Sequence, residues 1–282
     1  VVVVAYGSTD LLTRALAALD AETPVVVVDN GLSDEVQALC EERGCRYIRP
    51  DDNVGFASGV NLGLDEAPPG HDVLLLNPDA VIASSAIGQL QARMRETPRC
   101  AAVAPQLVRP DGSIERSSWP VQTPGSAWLG AVGLADRFSR HSFLTGAVLL
   151  LRGEAIADVG QFDERFFLYA EEADWQRRAQ SRGWTIAVVD DVAALHEGGG
   201  TSSDPELRER LFYSSAELLV RKWHGRAGWV VFRFGSLVAA ARRAALSRDK
   251  EVRAAHRRVV RLYLSGTTPR RAATSVVERR NT

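Results

Sequence analysis

The sequence predicts an α/β protein: a doubly wound, mostly parallel sheet with helices on both faces, followed by a C-terminal helical extension. Three observations carry that prediction. Short apolar runs alternate with amphipathic segments from Val1 to about Ala104, the order expected of a layered α/β domain. The runs are apolar at every position, not every second one, as in strands buried on both faces. From about Pro205 onward the chain reads helical, basic and sparse in helix breakers until "SGTTP". A length of 282 residues with 45% hydrophobic side chains supplies a sizeable core and excludes wholesale disorder. We therefore place one domain at 1–205, with halves of about 1–104 and 105–205, and a basic helical extension at 206–282.

Each element has a local reason. "VVVVAYG" is a β-branched strand ended by a glycine. In "STDLLTRALAALDA", Ser8 or Thr9 caps a helix whose Leu12, Ala15, Leu16 and Leu19 recur at helical spacing. "PVVVVDN" is a second buried strand, and "SDEVQALCEERG" a helix closed by Gly44. "RYIRP", "ASGVNLGLDEA" and "DVLLLNPDA" continue as strand, helix and strand. After Ala104 the alternation loosens, and "RPDGSIERSSWP" reads as a turn and an irregular loop. "TGAVLLLRGEAIADVG" gives a strand and a short helix, and "FLYAEEADWQRRAQSRG" a helix from near Glu171 to Gly183. "WTIAVVDDVAALHEGGGTSS" gives one or two strands and a glycine-rich loop.

The net charge of −1 hides an asymmetry. Residues 206–282 hold 18 Lys/Arg against 6 Asp/Glu, and residues 1–205 hold 16 against 29. A basic tail on an acidic body points to a polyanionic neighbour, anionic lipid in preference to nucleic acid. Trp223, Trp229, Phe232 and Phe234 are interleaved with arginines there, so the tail could lie on a membrane. Packing on the protein, or in a homodimer, explains the same residues equally well. Cys40, Cys45 and Cys100 fit no zinc or redox spacing and read as reduced thiols. No secretory leader is visible, and no apolar run reaches the roughly 18 residues of a membrane span. A cytoplasmic protein, peripheral on the inner face of the plasma membrane if the tail docks, is the expectation.

Absent motifs narrow the chemistry. "YGSTD" after the first strand is not GxGxxG, so a dinucleotide site is disfavoured, and no GxxxxGK[ST] phosphate loop exists. Parallel sheets bind ligands at the carboxyl ends of their strands. Asp29, Asn53 and Asn77–Asp79 all fall at or just after such ends. In "NPDA", Pro78 sets its own φ and biases Asn77 toward extended backbone. Asp79 is then a hard oxygen donor suited to Mg²⁺ or Mn²⁺ shared with a diphosphate, or alternatively the cap of the next helix. "EEADW" places Glu171, Glu172 and Asp174 at a helix start beside aromatic Phe166, Phe167, Tyr169 and Trp175. The helix dipole favours acids there, but one of three clustered carboxylates can also serve as general base. His196 precedes "GGG" and is a candidate metal ligand beside such an acid.

"VVVVDN", "NVGFASGVNLG", "LLLNPDA", "FDERFFLYAEEADWQRR" and "HEGGGTS" occur in this order between Val1 and about Ser203. Together they resemble the family-2 inverting glycosyltransferases of the GT-A type, near the bacterial rhamnosyltransferase-like branch. The resemblance implies that 1–205 is the catalytic domain, with a nucleotide-sugar half and an acceptor half. It implies that Tyr6 and Asp29 line the base pocket, and that Asn53, Gly55, Phe56, Asn61 and Asn77 shape the nucleotide-sugar side. Asp79, in the family's Asp-x-Asp position, and His196 would hold the metal. Glu172 would be the base, with Glu171 and Asp174 as alternatives. Asp163 and Glu164, with neighbouring Phe162, match an acceptor-side loop, and Trp175 is assigned to the acceptor side. The implied partners are a dTDP- or UDP-sugar and a glycan or polyprenyl-linked glycan. A sugar nucleotidyltransferase would want a basic glycine-rich loop after the first strand, which "YGSTDLL" lacks. A non-catalytic sugar-nucleotide-binding subunit would not need Asp79, Glu172 and His196.

Overall fold

The computed structural model describes residues 1–7, 9–132, 134, 142–198 and 205–266. Ser8, one candidate cap, and Gly199–Ser202 of the "HEGGGTS" motif lie outside the described residues. The chain divides into two units: Val1–Trp119 with Ser142–Ser203, and Pro120–His141 with Asp204–Thr282.

The first unit is built on a nine-stranded sheet. Its order is β3 (Arg46–Ile48), β2 (Val26–Asp29), β1 (Val2–Ala5), β4 (Val73–Leu76), β10 (Val148–Leu151), β6 (Cys100–Val108), β11 (Thr185–His196) and β5 (Ala80–Val81), with β7 (Ile114–Glu115) on β6. β10 runs antiparallel between β4 and β6, so those two point the same way as β1, β2, β3 and β11. Side chains alternate across each strand. Val3 and Ala5 join Leu12 and Leu16 of α1 (Thr9–Ala17), Val36 of α2 (Asp34–Arg43) and Leu90 of α4 (Ser84–Glu96). Val2 and Val4 join Val60 of α3 (Gly55–Asp65), Val159 of α6 (Gly153–Val159) and Trp175 of α7 (Glu171–Ser181).

Local signals act where expected. Ser33 caps α2 by accepting from the Val36 amide, and Gly44 closes it in the left-handed conformation at φ 69°. Gly59 and Gly63 of α3 serve packing on the sheet. A Cβ on Gly63 would lie 2.3 Å from Val2 and one on Gly59 2.8 Å from Val4, so bare backbone lets α3 settle onto β1.

Past Ala104 the structure is more regular than the sequence suggests. β6 continues to Val108, and β7 and β8 (Ser118–Pro120) occupy the segment read as an irregular loop. β8 pairs with β9 (Ser142–Leu144). β11 is one strand whose register shifts between Val189 and Ala193. Strands this short and polar gain their hydrogen bonds from neighbours distant in sequence, which local pattern does not reveal.

The second unit is helical. α5 (Pro124–Ala131) starts with a reciprocal cap between Thr123 and Ser126 and has Pro124 in its first turn. It packs with α8 (Pro205–Leu246), which breaks at Gly225 (φ 67°), and α8 packs with α9 (Lys250–Ser265). Gly235 presses on Trp128, where a Cβ would come within 3.1 Å. The segment from Pro120 therefore groups with the C-terminal helices, whereas the sequence assigns it to the first domain. Val220, Trp229, Phe232, Val259 and Tyr263 form the core of this unit. Among the described residues, no helix is long and apolar enough to cross a membrane.

Candidate active site

The carboxyl edge of the sheet brings two groups of polar residues together. At the end of β4, the Asn77 amide donates to the Ala147 carbonyl (2.9 Å), and the Asn77 carbonyl accepts from the Ala80 amide (3.0 Å). Pro78 rigidifies this turn. Asp79 follows, only 4% exposed. Because Ala80 of β5 pairs with His196 of β11, the imidazole Nε2 lies 3.6 Å from Asp79 Oδ1. Its Nδ1 lies 3.1 Å from Glu115 Oε2 on β7. Burial alone would lower the His196 pKa, but the Asp79 and Glu115 carboxylates outweigh it and raise it.

The second group begins α7. Tyr169 (φ 70°) and Ala170 (φ 69°) are both left-handed although neither is glycine, a strained approach of the kind that clusters at functional sites. Glu171 is 4% exposed, and its carboxyl is pushed well up by burial and then by Glu172. The half-buried Glu172 is pushed up to about 7 by burial, although backbone amides including those of Ala173 and Gly146 favour its anion. One oxygen of each, Oε2, has no hydrogen-bond partner among the described residues. Gly146 adjoins Ala147, so one turn ties Glu172 to the Asn77–Asp79 edge.

Asp174 sits differently from its neighbours. It is fully buried and pairs with Arg178 (3.0 Å), whose other nitrogens donate to the Val159 and Gln161 carbonyls. That network fastens α7 to the end of α6 and does not project into the crevice. Trp175, assigned from sequence to the acceptor side, is completely buried. It stacks on Phe162 and donates from Nε1 to the Gly160 carbonyl. An aromatic ring this deep in the core contributes area burial, not acceptor contact. Asp163 pairs with Arg165 at 2.6 Å.

Most of the residues that the sequence assigns to the nucleotide-sugar side hold the protein itself. Asp29, 1% exposed, accepts from the Gly31 amide (2.9 Å), the Ser33 amide (2.7 Å) and the Tyr47 hydroxyl (3.0 Å). Asn61 donates to the Phe162 carbonyl and Glu164 and accepts from the Phe162 amide. It thus clasps α3 to the loop before α7. Asn53, two residues before α3, accepts from the Gly55 amide. Gly55 has φ +83°, and a Cβ there would lie 2.6 Å from the Phe167 carbonyl. That same carbonyl accepts from the Phe56 amide. Tyr6, half-buried, follows β1 directly.

Tyr47, Glu115 and Gly146 are absent from the sequence reading. None sits in a motif; each arrives through strand pairing or a turn. Gln176 is likewise unforeseen: it grips β9 by donating to and accepting from Leu144 backbone. The α5 cap in "TPGS" was a legible local signal.

The donor set at Asp79 and His196 suits a hard divalent cation: one buried carboxylate beside one imidazole. Among the described residues, no three or more of His, Cys, Asp and Glu close into a cage of their own. Such a pair fits a cation shared with substrate phosphates.

Known proteins place this geometry in context. The chain is 27% identical to an N-acetylglucosaminyl-diphospho-decaprenol L-rhamnosyltransferase of Mycobacterium tuberculosis, over 81% of this chain and 85% of that protein. Its fold is similar to a Pyrobaculum calidifontis mannosyltransferase solved with GDP-Man and Mn²⁺. That likeness has a TM-score of 0.56 at 14% identity, over 99% of this chain and 86% of the other. It is also similar to S. aureus TarS 1-349 solved with UDP, with a TM-score of 0.55 at 18% identity, over 88% and 72%. Residues 1–156 match the sequence profile of glycosyl transferase family 2. With that match spanning more than half its length, and with an α/β fold and acid-lined edge to accompany it, the chain belongs to glycosyl transferase family 2.

Proposed function

We propose that the protein transfers rhamnose from dTDP-rhamnose, or else the sugar of a UDP-sugar, onto a hydroxyl of a glycan or polyprenyl-linked glycan, with inversion. The observation that carries this reading is Glu172: a half-buried carboxyl pushed up to about 7, with one oxygen unpartnered among the described residues, linked by one turn to the Asp79 edge. In a single displacement the acceptor oxygen forms its bond to the anomeric carbon as the bond to the nucleoside diphosphate breaks. The acceptor's proton passes to Glu172. Burial pushes the Glu171 carboxyl well up, and we assign the base role to Glu172. Asp174 and Arg178 act at a distance, as positioning residues for α7.

Asp79 and His196 would hold Mg²⁺ or Mn²⁺, which when bound supplies Lewis-acid stabilisation of the departing diphosphate. The mycobacterial relative's name, with its decaprenol-linked substrate and rhamnosyl product, supports the donor and acceptor classes. The manganese in the mannosyltransferase complex supports the cofactor. A polyprenyl-linked acceptor would place the reaction in cell-wall or polysaccharide assembly, at the inner face of the plasma membrane.

A panel of dTDP-, UDP- and GDP-sugars, each with Mg²⁺ or Mn²⁺, tests this by thermal shift and by nucleoside diphosphate release. One donor should stabilise the protein by about 2.7 kcal/mol at roughly 100 times Kd. It should also release diphosphate only with an acceptor present, and Asp79→Ala should lose the metal-dependent part of donor binding. Pyrophosphate release from a sugar phosphate and a nucleoside triphosphate would instead make the protein a nucleotidyltransferase. Donor binding without turnover on any acceptor would favour a binding subunit.

A further inference from the structure

Beyond the Gly225 kink, α8 leaves Ala227, Val230, Val231, Phe234, Val238 and Ala241 exposed to solvent. Their spacing of three and four residues defines one continuous helical face. Another face of the same helix, carrying Trp229, Phe232 and Ala240, is already buried in the core of this unit. A surface helix ordinarily turns one apolar stripe inward and a polar face to water. Here the outward face is apolar as well. Val230 is 64% and Phe234 59% exposed, and the exposed Trp128 of α5 lies beside Phe234 with ring centroids 5.8 Å apart. A contiguous exposed apolar patch of this kind marks an interaction surface.

Charge identifies the occupant. Residues 205–266 hold 14 Lys/Arg and 5 Asp/Glu, and Arg226 is exposed one turn before Val230, at the edge of the stripe. A second copy would bring two strongly basic units together, which like-charge repulsion opposes. An anionic bilayer attracts the same unit. Trp128 and Phe234 suit the boundary between head groups and acyl chains, and arginines suit the head groups. No described helix can cross the bilayer, so the contact is with one leaflet.

We propose that this face of α8, with Trp128 of α5, docks on anionic lipid. The inference goes beyond glycosyl transfer and does not depend on it, since the experiment uses neither donor nor acceptor. The full chain is sedimented with vesicles of phosphatidylcholine alone or mixed with phosphatidylglycerol. It should bind the mixed vesicles at 0.1 M salt and weaken at 1 M, as the screening length falls from about 10 to about 3 Å. Val230→Glu with Phe234→Glu should weaken binding at least tenfold without changing the circular dichroism spectrum or Tm, since both side chains face water. Arg226→Glu should weaken the preference for phosphatidylglycerol. Failure to bind mixed vesicles at low salt would overturn the proposal, as would equal binding by the Val230→Glu/Phe234→Glu protein. So would a dimer in sedimentation velocity that this double variant dissociates while vesicles leave the chain unbound.

Discussion

Asp29 and Glu172 are both carboxylates at the carboxyl edge of one sheet, and they occupy opposite physical situations. Asp29 has its oxygens filled by two backbone amides and a tyrosine hydroxyl. Glu172 is shielded too, yet one oxygen finds no partner among the described residues, and burial pushes its carboxyl up to about 7. A buried carboxylate with a donor on each oxygen is part of the scaffold. A buried acceptor left short is costly to keep, and its anion is ready to take a proton. Position at the carboxyl edge does not separate these roles; whether each oxygen meets a donor among the described residues does.

The largest effect that sharpens this contrast falls on turnover. Glu172→Gln keeps the shape but cannot accept the proton, so kcat should drop roughly 10²–10⁴-fold, measured as diphosphate release, with donor Kd nearly unchanged. Glu171→Gln should retain most activity; a dead Glu171→Gln beside an active Glu172→Gln would transfer the base to Glu171. Next is Asp29→Ala, which strands three donors. It should cost on the order of 3 kcal/mol in chemical denaturation. If stability is untouched and only donor affinity falls, Asp29 is a ligand contact, and the contrast with Glu172 fails.

A smaller effect is the pH dependence of stability. The Glu172 pKa rises from 4.5 to about 7 on folding, so the folded state holds the proton more tightly than the unfolded chain. Stability contributed by the protonated form is full at low pH and drains as pH climbs through that interval. Glu172→Gln cannot ionise. Its advantage over wild type should be absent near pH 4, grow through the interval and level off above about 7, at on the order of 1–3 kcal/mol. A Tm difference that is flat across this range would mean that Glu172 is better solvated than its surroundings indicate. The smallest change is Tyr47→Phe, which removes one of three donors to Asp29 and should cost about 1 kcal/mol, read as a shift in denaturation midpoint.

Much of the first unit was legible in the chain. β-Branched runs and helical spacing are local properties, so β1 to β4 and their helices follow from neighbours in sequence. Asn77-Pro78-Asp79 and the Glu171–Glu172 pair stand out because an acid after an apolar run has no packing purpose. What local pattern could not supply is which polar residues meet each other. Asn61 and Phe162 are 101 residues apart, and His196 reaches Glu115 across 81. These pairings depend on strand order and register, which burial of the whole sheet selects. The same holds for Trp175, a plausible acceptor platform by sequence, whose ring the fold commits to the core beneath α7. The segment from Pro120 is likewise claimed by α8 through close approach at Gly235, a contact set by tertiary packing. Residue type and spacing determined which groups could do chemistry. Tertiary structure decided which remained available for it, because a hydrogen-bonding group is consumed or spared only by the atoms that folding brings to it.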